Sequence, residues 1–197
     1  EKKAEEEEKV VPIPFEILGA DLDDKSTWPR VLSPPLMDSL RFHMPFVLRY
    51  DNFWLKYSLV RDGSHLLTLL SKVRNSTKTV LAIETLDGDV FGSFTSSPWH
   101  HRGNKFYGSG ESFVWKVSES RLNDIKTVEE QVALESNIQV FQWSGKNRNV
   151  QMSSPRKLAV GGGGETGNNE GCSGKTTNEE WTFSIALENG MEKGTTG

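Results

Sequence analysis

The 197-residue chain has one cysteine, Cys172, which excludes an internal disulfide framework and fits a reducing compartment. No apolar run approaches the roughly 18 to 20 residues of a membrane-spanning helix, and the first residues are charged where a secretory leader would be apolar. Direct membrane insertion is therefore not expected. Positive charge is not in excess either: 23 Lys and Arg stand against 27 Asp and Glu, and a net charge of −4 gives no overall footprint for DNA or RNA. Strand-helix-strand alternation is also missing, which argues against a parallel α/β sheet.

What is present reads as one domain behind a tail. Glu1 to Val10 mixes four consecutive glutamates with lysines and holds little that could be buried, so residues 1–30 divide into a charged tail and an extended lead-in. Pro12, Pro14 and Pro29 break any helix there, while Phe15, Ile17, Leu18 and Trp28 offer anchors. Asp21, Asp23 and Asp24 lack the glycine and distal glutamate of a calcium loop and read as a solvated turn. A start at Glu1 rather than Met suggests a piece of a longer protein.

Ser33-Pro34-Pro35 opens a helix, with Ser33 as cap and Leu36, Met37, Leu40 and Met44 on one face, and Pro45 is expected to stop it. Phe53 to Leu59 alternates and predicts a strand. After the Arg61-Asp62-Gly63 turn, Ser64 is placed to cap a helix carrying Leu66, Leu69, Leu70 and Val73. The stretch from Val80 to Val117 organises the rest. Two β-prone runs meet across Asp87-Gly88, where glycine suits the positive φ of a tight turn, and Gly108-Ser109-Gly110-Glu111 leads into a third run, Phe113-Val114-Trp115. Three neighbouring antiparallel strands are predicted.

Farther on, Thr127 and Glu130 have capping-box spacing. Asn137 to Trp143 alternates as a strand, and Ser144 to Asn147 predicts a hairpin turn into Asn149 to Met152. Lys157 to Val160 leads into Gly161 to Gly164, followed by a glycine- and asparagine-rich loop holding Cys172. Trp181 to Leu187 reads as a last strand, with a turn at Asn189-Gly190 and no strand after it. The fold class expected is mostly β (α+β): two antiparallel sheets packed as a sandwich and flanked by short helices.

Groups that could carry chemistry are sparse. Gly161 to Gly164 lacks the Lys-Ser/Thr of a phosphate loop, so close backbone packing explains it better. His65 has no ligand partner at i+4, and His100-His101 has no second ligand pair nearby, so no metal site is expected. Gly108-Ser109-Gly110 is not a nucleophile elbow. Cys172 has Lys175 nearby to favour a thiolate but no resolving cysteine. Glu111 is the most pointed residue: a carboxylate at a strand start needs satisfying, and the expected answer is a structural role, accepting backbone N–H bonds from the glycine turn. A peroxide-handling or hydrolytic enzyme centred on Glu111 or Cys172 is the alternative.

Several runs, taken together, resemble the TLDc domain of oxidation-resistance proteins. They are Phe91-Gly92-Ser93-Phe94, Phe106 to Val114, Val140 to Asn147 and Leu158 to Gly163, with Met44-Pro45, Trp54 to Ser58 and Asp62-Gly63-Ser64 in register upstream. The resemblance covers about Leu32 to Gly197, and residues 31–197 are taken as the domain. It implies a helix-flanked β-sandwich with no agreed catalytic reaction and no cofactor. It also implies a protein-binding module for oxidative-stress resistance that regulates the vacuolar-type proton-pumping ATPase (V-ATPase). The location implied is cytoplasmic, at vacuolar or endolysosomal membranes through that partner. A targeting role in a larger membrane-traffic regulator is a further alternative, since family members sit beside Rab GTPase-activating, LysM or calcium-binding domains. The motif residues carried over are Gly92, Gly108, Gly110, Glu111, Gly161, Gly162 and Gly163. The chain departs from the family in lacking a Cys-x-Thr-Phe-x-Asn stretch and final strand, which would leave a sheet edge open, and in longer segments at Ser118 to Asn137 and Glu165 to Glu180.

Overall fold

The structure, a computed structural model, describes residues 15–20, 25–123, 125–162, 185–188, 191 and 193–195. Outside them lie the charged tail, the Asp21-Asp23-Asp24 turn, Gly163 and Gly164, Cys172 with its loop, Trp181 to Ser184, and Asn189-Gly190.

The central prediction holds. Strands β3 (Thr79–Glu84), β4 (Val90–Thr95), β5 (Phe113–Val117) and β6 (Ile138–Gln142) form one antiparallel sheet in that order. The β3-β4 turn closes with Thr85 N–H donating to Asp89 O at 3.0 Å, and Gly88 supplies the positive φ of 76°. One face of this sheet brings together Val80, Val90, Phe94, Phe113, Trp115 and Val117. Helix α1 (Pro34–Arg41) covers that face with Leu36 and Leu40, and Met44 beyond its end completes the cluster. Gly92 makes the packing possible: a Cβ there would lie 1.8 Å from Leu81 O and 2.7 Å from the Trp115 indole. Only a glycine lets that ring lie flat across β4.

Strands β7 (Gln151–Ser153), β8 (Lys157–Val160), β9 (Ile185–Glu188) and β10 (Lys193–Thr195) form a second antiparallel sheet, ordered β10-β9-β8-β7. Leu158, Val160 and Leu187 meet Leu81, Ile83 and Val114 from the other face of the first sheet. Helix α3 (Leu66–Val73) joins them through Leu66, Leu69, Leu70 and Val73, as its spacing predicts. The molecule is thus a sandwich of two sheets with helices at its flanks, mostly β as expected.

Several local expectations are corrected. Ser144 to Asn147 is not a hairpin turn: β6 and β7 belong to different sheets, and this link carries the chain across the sandwich. The β9 strand does gain a partner, because β10 pairs with it from Glu188↔Lys193 to Ala186↔Thr195. Helix α1 ends at Arg41, before Pro45 is reached, its last turn closing on Phe42 N–H. Helix α3 is capped by His65, whose Nδ1 accepts from Leu67 N–H at 3.3 Å, and not by Ser64.

The expected strand from Phe53 to Leu59 shortens to β2 (Phe53–Trp54), which pairs in parallel with β1 (Ile17–Leu18) and so anchors the lead-in. The partner β1 ends at Leu18, so past the Leu55 N–H on Leu18 O at 2.7 Å the ladder stops, and farther on Asp62 redirects the chain. Its carboxylate accepts from Ser58 N–H at 2.9 Å and pairs with Arg61 at 2.9 Å and Lys72 at 3.2 Å, which draws Leu59–Asp62 into the one-turn helix α2. The Arg61 guanidinium, aided by Ser58 N–H and Lys72 and opposed by burial, holds the carboxyl down at about 2.

Candidate functional site: the loop cluster around Tyr107

The motif glycines, scattered in sequence, gather where the loop before β5 meets the β6-β7 link. Tyr107 and Gln151 exchange backbone hydrogen bonds of 2.8 Å each, an isolated bridge tying that loop to the edge of the second sheet. Gly108 follows with φ 124°, and a Cβ there would meet Val150 at 2.8 Å. Gly110 lies under the Trp143 indole, 2.6 Å from where its Cβ would stand. Gly161, with φ 71°, donates to Val150 O at 2.7 Å. Gly162 O accepts from Asn147 Nδ2 at 2.9 Å, and a Cβ there would press on Phe106 and Asn149. Each of these glycines packs closely against a neighbour or holds a left-handed backbone. Gly92 stands apart from them in the sandwich, and Gly163 lies outside the described residues.

Tyr107 is the hub, a role that its place in the Phe106 to Val114 run does not reveal. Its hydroxyl receives His100 N–H at 3.0 Å and lies 3.0 Å from Ser153 Oγ, which donates to His100 O at 2.9 Å. The His100 ring stacks on Tyr107 with centroids 4.2 Å apart. Gln151 is fully buried and reaches Ser97 O through Nε2 at 3.2 Å. A wholly buried glutamine flanked by Val150 and Met152 has no local signal, because its partners arrive from 54 residues away.

Glu111 departs from expectation. It is exposed, its backbone N–H reaches Ser109 Oγ at 3.4 Å, and none of the described residues donates a hydrogen bond to its carboxylate. The side chain does not lock the glycine turn; Ser112 N–H on Ser109 O at 3.1 Å closes it instead. The physical reason is that β5 begins two residues later, at Phe113, so Glu111 remains on the loop, in water. With no acid or base partner it lacks the geometry of a general base.

A second cluster was missed by sequence reasoning altogether. Glu135, on helix α4 (Val128–Ser136), is 3% exposed and pairs with Arg121 at 3.1 Å. It also accepts from the Ser33 hydroxyl, the same group that caps α1 by accepting from Leu36 N–H. Arg121 also holds Glu84 at 2.8 Å and Val31 O at 2.6 Å. Three other segments converge on α4 there, at Val31 and Ser33, Glu84 and Arg121, none within ten residues of Glu135.

Two surface concavities, of about 410 and 380 Å³, lie along α3 and beside the start of α4, and share no residue with the Tyr107 cluster. Among the described residues no group of three His, Cys, Asp or Glu is arranged to hold a metal ion. His100 and His101 are both exposed, and the His100 Nδ1 lies 2.9 Å from Pro98 O.

The packing of these motif residues agrees with what the family comparison finds. The TLDc domain model matches residues 26–197. The chain belongs to the TLDc domain family. Among curated proteins, this TLDc chain is similar to "Oxidation resistance protein 1" of Yarrowia lipolytica, 31% identical over 76% of the chain and 61% of the relative. The same-named protein of Candida glabrata is 33% identical over 56% of the chain and 42% of the relative, and that of Podospora anserina 36% over 53% and 31%. The TLDc chain therefore spans less than two thirds of the length of these relatives. No described helix is long and apolar enough to cross a membrane.

Proposed function

We propose that this TLDc domain is a non-catalytic protein-binding module that supports oxidative-stress resistance and regulates the vacuolar-type proton-pumping ATPase. It acts from the cytoplasmic side and reaches vacuolar or endolysosomal membranes through that partner. The observation that carries the reading is how the motif residues are used. Gly108, Gly110, Gly161 and Gly162 fit two loops against each other, while among the described residues none pairs with the Glu111 carboxylate. The relatives' name, "Oxidation resistance protein 1", supports the stress-resistance part.

The immobilised protein, incubated with solubilised pump, should retain pump subunits identifiable by mass spectrometry and should change ATP hydrolysis by the pump. If no subunit is retained and hydrolysis is unchanged, the pump reading fails. Purified protein should leave peroxide and model esters unconsumed, and turnover abolished by Glu111→Gln or Cys172→Ser would replace the binding-module reading with an enzymatic one.

A further inference from the structure

The net charge of −4 hides a strong segregation. From Val90 to Gly110, and again from Ser136 to Gly164, the sequence contains no Asp or Glu, while these two stretches hold six Lys and Arg. With those six set aside, the remaining 17 Lys and Arg face 27 Asp and Glu, a balance of −10.

The fold brings the loop of the first stretch, residues 100–110, against the β7 part of the second at Tyr107. The Tyr107-Gln151 bridge fastens them, and the hydroxyl network of Tyr107, Ser153 and His100 fixes the loop. The Arg102 guanidinium lies 5.7 Å over the Tyr107 ring. Lys105 is two residues before that tyrosine, Arg148 precedes the bridged Gln151, and Arg156 is in the turn after Ser153. All four are exposed, and none has a carboxylate within ion-pair distance among the described residues. Of the other two cations, Lys146 is exposed in the β6-β7 link and Lys157 is taken by Glu188 at 2.7 Å. Among the described residues, Glu111 at the Gly110 end and Glu188 beside Lys157 are acids that border the face.

We propose that this face is a docking surface for an acidic segment of a protein partner. Four cations on segments tied together by the Tyr107-Gln151 bridge and the part-buried Tyr107, Ser153 and His100 network are presented with little ordering cost on binding. The surface is not a cavity, which suits a run of carboxylates better than one small anion. The acidic balance elsewhere opposes the approach of an extended polyanion such as duplex DNA or an anionic membrane, whose field spans the whole molecule. A short acidic segment meets only the local face, because charges beyond about 8 Å are screened at physiological salt. The proposal rests on the reading of the domain as a binding module and adds the chemistry of its partner.

The test is a fluorescence-anisotropy titration of the intact protein with a labelled peptide of alternating Asp and Glu. Saturable binding is expected, weakening about tenfold or more from low to physiological salt. Charge reversal at Arg102→Glu, Lys105→Glu and Arg156→Glu together should cost about tenfold or more in affinity with an unchanged melting temperature. The pair Lys105→Glu and Arg156→Glu, which leaves the Tyr107 stack intact, should give an intermediate loss. Reversal of two exposed cations elsewhere, Arg74→Glu with Lys78→Glu, should change affinity less than about twofold. Equal losses for both sets, or none for the first, would overturn the proposal. So would tighter binding to a single-stranded oligonucleotide or to phosphatidylserine vesicles than to the peptide. If the triple variant still captures the proton pump as well as the parent, this inference fails and the pump reading stands; if the parent binds the peptide but no pump subunit, the reverse holds.

Discussion

The two ends of β5 treat a carboxylate in opposite ways. Before the strand, Glu111 sits between Gly110 and Ser112, in a sequence that draws attention to it, and stands exposed with no donor among the described residues. Beyond the strand, Glu135 lies in an unremarkable run of helix and is nearly inaccessible, paired with Arg121 and hydrogen-bonded by Ser33. Burial of a charge is tolerable only when partners are fixed around it. Those partners came from the cap of α1 and the β5-α4 link, not from the flanking residues. A conspicuous local setting therefore says less about a carboxylate's role than which distant segments the topology delivers to it.

The largest way to break this contrast is Glu135→Ala, which leaves Arg121 half-paired and unhooks the α1 cap. A loss of about 3 to 5 kcal/mol is expected in chemical denaturation, enough to unfold much of the protein near body temperature. Next comes Gly108→Ala, which meets both a strained φ and the Val150 side chain. It should cost about 1 to 3 kcal/mol and quench or shift the fluorescence of Trp143 over neighbouring Gly110.

Asp62 offers an intermediate case, a carboxylate satisfied mostly from its own neighbourhood. Because its folded value lies at about 2, below the ordinary 3.8, its contribution is complete above about pH 4 and is lost as pH falls toward 2. Asp62→Asn should then be less stable than the parent by about 1 to 2 kcal/mol at pH 7, with the gap closing across that acid window. A gap that persisted at pH 2 would mean the carboxylate's charge is not what matters. Smallest of all, Glu111→Gln should shift stability by less than about 0.5 kcal/mol. A larger loss would restore the locking role that the geometry does not support.

The elements legible in the sequence are those whose signals are local. Thr127 and Glu130 form the capping box their spacing predicts, Ser33 caps α1, and Asp87-Gly88 turns the first hairpin. The alternation of Phe53, Leu55 and Tyr57 was read correctly as sidedness but not as pairing: these residues are more buried than Trp54 and Lys56, yet only two residues enter a ladder. The ladder ends where β1 turns away at Gly19, φ 75°, and the chain bends beyond Tyr57 through the Asp62 carboxylate on Ser58 N–H; alternation encodes neither. Ser144 to Asn147 has the composition of a hairpin turn, and composition does not say which sheet the chain enters next. For the candidate site, the glycines were legible as points of close approach, but Tyr107, Gln151 and Ser153 were not, because their roles exist only once two remote loops meet. Net charge misled in the same way, averaging an acid-free face with a strongly acidic remainder.

Each sheet joins short closures to a long one. In the first, Glu84 meets Val90 across a short turn, but Val117 meets Ile138 across roughly 20 residues; in the second, Ser153 meets Leu158 across a short turn, but Val160 meets Ile185 across roughly 25. Closing the longer spans costs on the order of 1 kcal/mol more in chain entropy before any contact rewards it. The β3-β4 and β7-β8 hairpins are thus the cheaper places for folding to begin. The β8-β9 pairing, and the packing of Leu158, Val160 and Leu187 on the first sheet's face, belong to a later stage.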